Sequence, residues 1–501
     1  VKVLPNVRNQ ILGYAAIAAV ASVCAAAMLL FVESSLSAFG GVILILAFIL
    51  IGFVRTEWLL LVILLTGIFY TPLEKLSFRM AGILVIPMDA IFLLSMVMML
   101  LKTKWGRKPV KGDLRLEQGL STTKIVSGVF LLIIFAATFI GLFRNHYWQT
   151  VFAEAKLGLY YGALPLILWA LGSRKLRPET LMLFLVFFST LGSLYDIYAR
   201  IFDIYTVSAY SGGVEGAVAI ADTQFGDIIR DYGWVSTFHY QVFSALICLC
   251  FILQGRRPIP RLGLLALLVV NVVANLLTVT RGFTFALLIG GLAVIVCSSL
   301  VDYSQRMRWG RLVGRFTIGV LLLVTVFVGL GRIVPQANAS FGRLWGVMDR
   351  SYAGKGDVAN MEYRLQSIKT GFNNALEHPL GMGFGTGSPS SSVSVTERLM
   401  LSLMNHNSIG YMLYKFGFPG AVAVLVIFAL LCFRLFGLVR TGQAAAKRMS
   451  TCVLSCLLAI FGMSFTSGNF LFSICSVLPF VVIMIATGFY YVGRNTCRVN
   501  P

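Results

Sequence analysis

The sequence predicts an all-α fold, a polytopic transmembrane bundle of about 12–14 spans, and three observations predict it. Hydrophobic residues make up 58% of the 501 positions and charged residues only 12%, whereas soluble domains carry about 25% charged residues. Mean hydropathy is +0.85. Apolar runs of spanning length recur along the chain, and roughly 20 such residues cross a bilayer as a helix that satisfies its own backbone. Finally, the basic residues fall in alternate loops, as they do in multi-pass proteins.

The runs lie near 11–32, 36–54, 58–71, 82–101, 125–143, 151–171, 180–201, 237–254, 262–279, 283–301, 316–332, 416–438, 451–466 and 470–492. Several are short or closely paired, which sets the lower end of the count. The first follows only Lys2 and Arg8, lacks a small-residue cleavage site and feeds directly into another run, so it reads as a retained span and not as a signal peptide.

Orientation follows from charge. With the N-terminus inside, the inner segments include 102–124, Arg174 to Arg177, Arg256 to Arg261, Arg306 to Arg315, Arg434 to Arg448 and the tail after 492. With the N-terminal segment and the short inner loops beside these, they hold 26 of the 41 basic residues and five of the 20 acidic ones, a surplus equal to the whole net charge of +21. Positive-inside topology and attraction to anionic lipid therefore account for the pI near 9.8, and nucleic-acid binding is excluded as its cause. The segment 102–124 reads as a solvated inner loop. The nine cysteines fall in runs or in the tail, with neither a disulfide framework nor zinc spacing.

Two long segments face outward. Residues 203–236 are glycine-rich and acidic, and 333–415 is the largest polar block; loops of such length are functional or disordered. Within the second, Asn360 to His378 has a helical pattern in which Leu365, Ile368, Phe372, Ala375 and Leu376 share one face, with Pro379 as the stop. Such a helix lies on the bilayer surface or caps the bundle, and Arg364 sits beside its apolar face. Next comes Gly381-Met382-Gly383-Phe384-Gly385-Thr386-Gly387. Alternate glycines let backbone amides approach an anion, but no strand precedes them, and a flexible loop is the simpler reading.

The block ends at Met404-Asn405-His406-Asn407-Ser408-Ile409-Gly410-Tyr411. An imidazole where a polar loop re-enters an apolar bundle suits proton transfer, because its ordinary pKa lies near neutrality; a hydrogen-bonded packing histidine is the plainer alternative. His406, Gly410 and Gly417 share a helical face, and Gly417, Pro419 and Gly420 mark a break before the next run. Arg281 lies in Thr280-Arg281-Gly282, which joins two runs with almost no loop, so its guanidinium sits at the outer boundary, where snorkelling would also explain it. Glu154 and Lys156, near the outer end of their run, form a secondary candidate pair, most simply a structural ion pair.

The Thr-Arg-Gly turn at 280–282, the Arg364 helix, His378-Pro379-Leu380-Gly381-Met382-Gly383-Phe384-Gly385, and His406-Asn407-Ser408 leading to Gly417-Phe418-Pro419-Gly420 occur in one order. Together they resemble the O-antigen ligase and polysaccharide polymerase superfamily of bacterial inner membranes, over about residues 262–490. The resemblance divides the chain into N-terminal helices (1–261), a ligase-like region (262–492) that includes a periplasmic loop at 333–415, and a cytoplasmic tail (493–501). It implies a helical membrane glycosyltransferase that moves a glycan from undecaprenyl diphosphate to an acceptor hydroxyl, on lipid A core or a growing polysaccharide, at the periplasmic face. A chain-length regulator is a further partner that it suggests.

In that chemistry Arg281 and Arg364 would grip the diphosphate, since a guanidinium is a permanently charged fork for paired oxygens. His406 would take the acceptor proton, and Gly383, Gly385 and Asn407 would line the substrate site. No cofactor is expected, and no metal, because the chain has no Asp-x-Asp pair and its outer carboxylates are scattered. A lipid-linked repeat polymerase uses the same donor and remains the alternative. A transporter or glycan flippase is a further one, kept open by Asp89, Asp196 and Arg200, although no repeated halves are visible.

Overall fold

A computed structural model of the chain describes residues 58–68, 78–80, 83–85, 87–105, 114–146, 148–172, 177–201, 219–223, 226–230, 237–254, 259–277, 281–303, 355–385, 407–464 and 478–496, together with the isolated positions 314, 317 and 325. The expected runs at 11–32 and 36–54 lie outside them, as does nearly all of 316–332.

The described chain is a helical bundle. Its helices are α1 (Leu59–Ile68), α2 (Pro87–Trp105), α3 (Leu114–Phe143), α4 (Trp148–Ala155), α5 (Leu157–Gly162), α6 (Leu164–Gly172), α7 (Pro178–Ile201), α8 (Thr237–Leu253), α9 (Arg261–Leu277), α10 (Arg281–Tyr303), α11 (Lys355–Glu377), α12 (Ser408–Thr441), α13 (Ala444–Ser464) and α14 (Leu478–Thr496). Two short antiparallel pairs accompany them: β1 (Phe78–Met80) with β2 (Ile83–Val85), and β3 (Ala219–Thr223) with β4 (Gly226–Arg230). The second lies inside the expected outer loop 203–236. Parts of α3, α7, α10, α12 and α13 are long and apolar enough to cross a membrane, and shorter apolar helices occur in α2, α5–α6, α8, α9 and α14.

Two departures from the expected bounds have local causes. Helix α3 begins at Leu114, inside the segment read as a solvated loop, because Leu114-Arg-Leu-Glu-Gln is built of strong helix formers that extend the span beyond the bilayer. The run 151–171 is interrupted at Lys156 and Ala163, which keep helical φ/ψ, and so divides into three short helices, α4 to α6.

Packing joins α7, α8 and α9 on one side, α8, α10 and α13 at the centre, and α3, α6 and α14 on the other, with α12 lying between α13 and α3. In lipid the gain comes from close packing and from polar groups that find partners across helices. Asn271 on α9 does the latter. Its amide donates to Thr190 Oγ1 at 2.7 Å and to the Leu267 carbonyl at 2.8 Å, while Ser189 and Ser193 of α7 donate to its Oδ1 at 3.1 and 3.0 Å.

Helix α11 uses its small residues. Ser367, Gly371 and Ala375 form its buried stripe against α12, and a Cβ on Gly371 would meet the Gly410 carbonyl at 2.5 Å. Leu365, Phe372 and Leu376, on the expected apolar face, are exposed, and the Phe372 ring also meets Phe418 edge-on at 5.4 Å. Backbones can approach this closely only where side chains are small.

Helix α12 is two helical segments separated at Gly417, whose φ of 63° and ψ of −166° break the coil. The break falls where Gly417, Pro419 and Gly420 predict one. Its first segment advances in the same direction as α11, since Ser367 lies beside Gly410, and the Pro379 carbonyl, just past α11, accepts from Phe418 N at 3.0 Å.

Candidate functional site

The break in α12 frees two carbonyls. In an unbroken helix the Tyr414 carbonyl would accept from Phe418 N and the Lys415 carbonyl from residue 419, but Phe418 N turns to Pro379 and Pro419 has no N–H to give. Orphan buried carbonyls are costly and find other donors. Here the donors come from the glycine segment: Met382 N donates to the Tyr414 carbonyl at 2.8 Å and Gly383 N to the Lys415 carbonyl at 3.1 Å.

The neighbouring amides are used in the same way. Gly381 N donates to the His378 carbonyl at 2.7 Å, Phe384 N to the Ala137 carbonyl of α3 at 2.9 Å, and Gly385 N to Glu154 Oε2 at 3.1 Å. Residues 381–385 thus form a fixed strap laced between α12, α3 and α4. Glycine is required at 381, 383 and 385, where φ is 83°, 78° and 81°, a left-handed region that side chains resist. At Gly383 a Cβ would also strike the backbone of Gly141.

Around the strap stand ionisable groups from three elements. Lys415, its side chain 3% exposed, places Nζ 2.9 Å from Glu154 Oε2 and 3.1 Å from Oε1. The Tyr411 ring lies below the same ammonium, its centroid 5.7 Å away, close enough for a cation–π contact. In the loop after α3, His146 Nδ1 donates to the Phe384 carbonyl at 2.7 Å, and Arg144 Nη1 lies 2.7 Å from Met382 Sδ. Because the carbonyl can only accept, the hydrogen is on Nδ1 and Nε2 is the basic nitrogen of the neutral ring. Burial lowers the His146 pKa below its ordinary value, and Lys415 and Arg144 push the same way, against the Phe384 hydrogen bond and Glu154. The cluster therefore offers a neutral imidazole base beside fixed cations, a combination suited to an anionic group and a proton in transit.

The sequence-predicted residues fall as follows. Gly383 and Gly385 are in the strap, their amides engaged by protein acceptors. The Asn407 side chain caps α12, accepting from Ile409 N at 2.9 Å and Gly410 N at 3.1 Å, which stabilises a helix start by about 1 kcal/mol. Arg281 opens α10, and the backbone of Arg364 lies on α11 one turn before Ser367, at the level where α12 begins. The side chains of both arginines, and all of His406, lie outside the described residues, as does the side chain of Arg200.

Glu154 and Lys156 do not pair with each other. Two residues apart in the α4–α5 region, they face different neighbours: Lys156 Nζ lies 2.7 Å from Asp89 Oδ2, whose other oxygen accepts from Tyr160 at 2.7 Å. Asp89, one of the residues that kept a transporter reading open, is the anchor of that pair. Asp196 is buried and accepts from Gln241 Nε2 at 2.7 Å. Among the described residues, no group of three or more His, Cys, Asp or Glu side chains could hold a metal ion.

Sequence reasoning passed over Lys415, His146 and Arg144. The signal for the first was available: Lys415 and Glu154 are opposite charges set in apolar surroundings, and such charges seek one another. His146 and Arg144 carry no such signal, because only the strap's long-range contacts bring them in. The fold and this cluster define the class, a polytopic helical membrane protein with an ionisable site at one end of the bundle. No protein-family model and no curated protein matches the chain.

Proposed function

We propose that the chain is a membrane glycosyltransferase of the O-antigen ligase and polymerase type, moving a glycan from undecaprenyl diphosphate to an acceptor hydroxyl at the periplasmic face. One observation supports this reading above the rest: two of the four segments that carry the resemblance, 378–385 and 407–420, pack directly on one another through the Pro379, Tyr414 and Lys415 carbonyls. His406 immediately precedes the Asn407 cap, so this packing also determines where the chain bearing the proposed base enters the bundle.

In this mechanism Arg281 and Arg364 hold the diphosphate and stabilise its departing charge. His406 removes the acceptor proton as the hydroxyl oxygen attacks the anomeric carbon, and the bond to the diphosphate oxygen breaks. Lys415 and Glu154 are positioning residues that fasten the strap to the start of α12.

The test is turnover of an undecaprenyl-diphosphate oligosaccharide by purified protein, beside His406→Ala, with lipid A core offered or withheld. The reading predicts release of undecaprenyl diphosphate by the wild type and a loss of about 100-fold or more in the variant. A product ladder without core identifies a polymerase, and product only with core a ligase. No release under either condition, or a variant equal to the wild type, overturns the proposal and makes transport the next activity to assay.

A further inference from the structure

The opposite end of the bundle carries a cleft of about 500 Å³ between α3, α12 and α14. Helix α3 runs antiparallel to α12 here, since Ile133 packs by Gly420 while Val126 and Leu431 both line the cleft. These two helices therefore present the cleft in one order: Ser121, Thr122 and Arg434 line it at the mouth, toward the basic end, and Val126 and Ile427 line it further along the helices, while the backbone of Phe489 on α14 is level with Gly119.

A polar mouth over an apolar floor matches one kind of molecule, an amphiphile with a charged head. The sign of the head is set by Arg434, which is exposed, lies in the basic segment Arg434 to Arg448, and takes part in none of the ion pairs described above. A guanidinium beside two hydroxyls offers donors to phosphate oxygens. We infer that this cleft binds one anionic glycerophospholipid of the leaflet at the basic end, an acyl chain lying along Val126 and Ile427 and the headgroup phosphate held by Arg434 with Ser121 and Thr122.

Anionic lipid is favoured over zwitterionic lipid because Arg434 has a charge to neutralise, and an acyl chain is needed to displace lipid or detergent from the floor. The site is far from the strap, and binding is read without turnover, so its failure and that of the transferase reading are separate results.

The experiment titrates detergent-solubilised full-length protein with phosphatidylglycerol or phosphatidylcholine of identical chains and counts bound lipid by native mass spectrometry. Wild type is expected to retain one phosphatidylglycerol with about fivefold preference, the factor one basic residue provides at an anionic surface. Arg434→Gln should abolish the preference while leaving chain binding, Leu430→Trp should block both lipids by filling the cleft, and Arg440→Gln should change neither. Equal retention of the two lipids by wild type overturns the inference. So does a preference that persists in Arg434→Gln, retention undiminished in Leu430→Trp, or displacement of the lipid by millimolar inorganic phosphate. Unchanged helical content and unfolding temperature in each variant keep a folding defect from imitating the result.

Discussion

Lys415 and Glu154 cross-link elements more than 250 positions apart, and the pair's value depends on both members being present. With Lys415 almost wholly enclosed, Glu154→Gln leaves an ammonium without its counter-charge, a loss of roughly 3–5 kcal/mol in comparable buried pairs. The thermal unfolding midpoint of Glu154→Gln should drop accordingly, and Glu154→Gln/Lys415→Met should recover much of it; a double variant as unstable as the single one would place the loss elsewhere. His146 yields a pH dependence with a definite sign. Its pKa is lowered in the folded protein, so the unfolded chain binds more protons in the affected window. Its contribution is therefore complete above the ordinary value of 6.5 and is lost as pH falls through the lowered folded value. His146→Asn can keep a donor to the Phe384 carbonyl without titrating. Unfolding midpoints measured between pH 7 and pH 5 should fall more steeply for wild type than for this variant, and parallel curves would remove His146 from the account.

Helix α12 and the strap show how an element can be legible while its consequence is not. Gly417, Pro419 and Gly420 announce a break in the sequence, and the break is there. Nothing local announces that the carbonyls it frees, at Tyr414 and Lys415, are taken by amides more than 30 residues earlier, so 381–385 reads as a loop when it is a strap. Gly417→Ala tests the link. A Cβ there would run into the Pro379 carbonyl, and the left-handed backbone alone costs about 1–3 kcal/mol for other residues; the variant should unfold at lower temperature and lose protection of the strap amides in hydrogen exchange. Helix α11 was legible in extent, with Lys355–Glu377 observed where Asn360 to His378 was expected, and its apolar face was expected on the bilayer surface or against the bundle. Ser367 and Gly371 make the contact with α12, a small-residue stripe the apolar pattern does not point to, and Leu365, Phe372 and Leu376 are exposed. In a membrane protein that outward face has lipid to meet. A cysteine at Leu376 should react with a water-soluble maleimide about tenfold more slowly in bilayers than one at Glu377, with the gap closing when the bilayer is dissolved; equal rates in bilayers would put α11 in water.

At the scale of the whole chain, composition and charge alternation were enough to predict a helical membrane bundle, because hydrocarbon permits few other ways to satisfy a backbone. They do not register finer divisions: run 151–171 is interrupted at Lys156 and Ala163 into α4, α5 and α6, where Glu154 and Lys156 reach to different neighbours. Charge does distinguish the two ends of the bundle. Arg434, Arg440, Lys447 and Arg448 gather where α12 ends and α13 begins, whereas at the end that carries the strap, where Asn145 lies in the loop after α3, the cations Arg144 and Lys415 stand with the carboxylate of Glu154. Basic residues are retained on the cytoplasmic side, so the strap end should face outward, the side on which a lipid-linked glycan would be met. With the nine native cysteines replaced, a cysteine at Asn145 should be modified by an impermeant maleimide added to intact spheroplasts, and one at Thr441 only after permeabilisation. The reverse pattern would turn the bundle over, place the strap in the cytoplasm, and remove the topological basis for a periplasmic transferase.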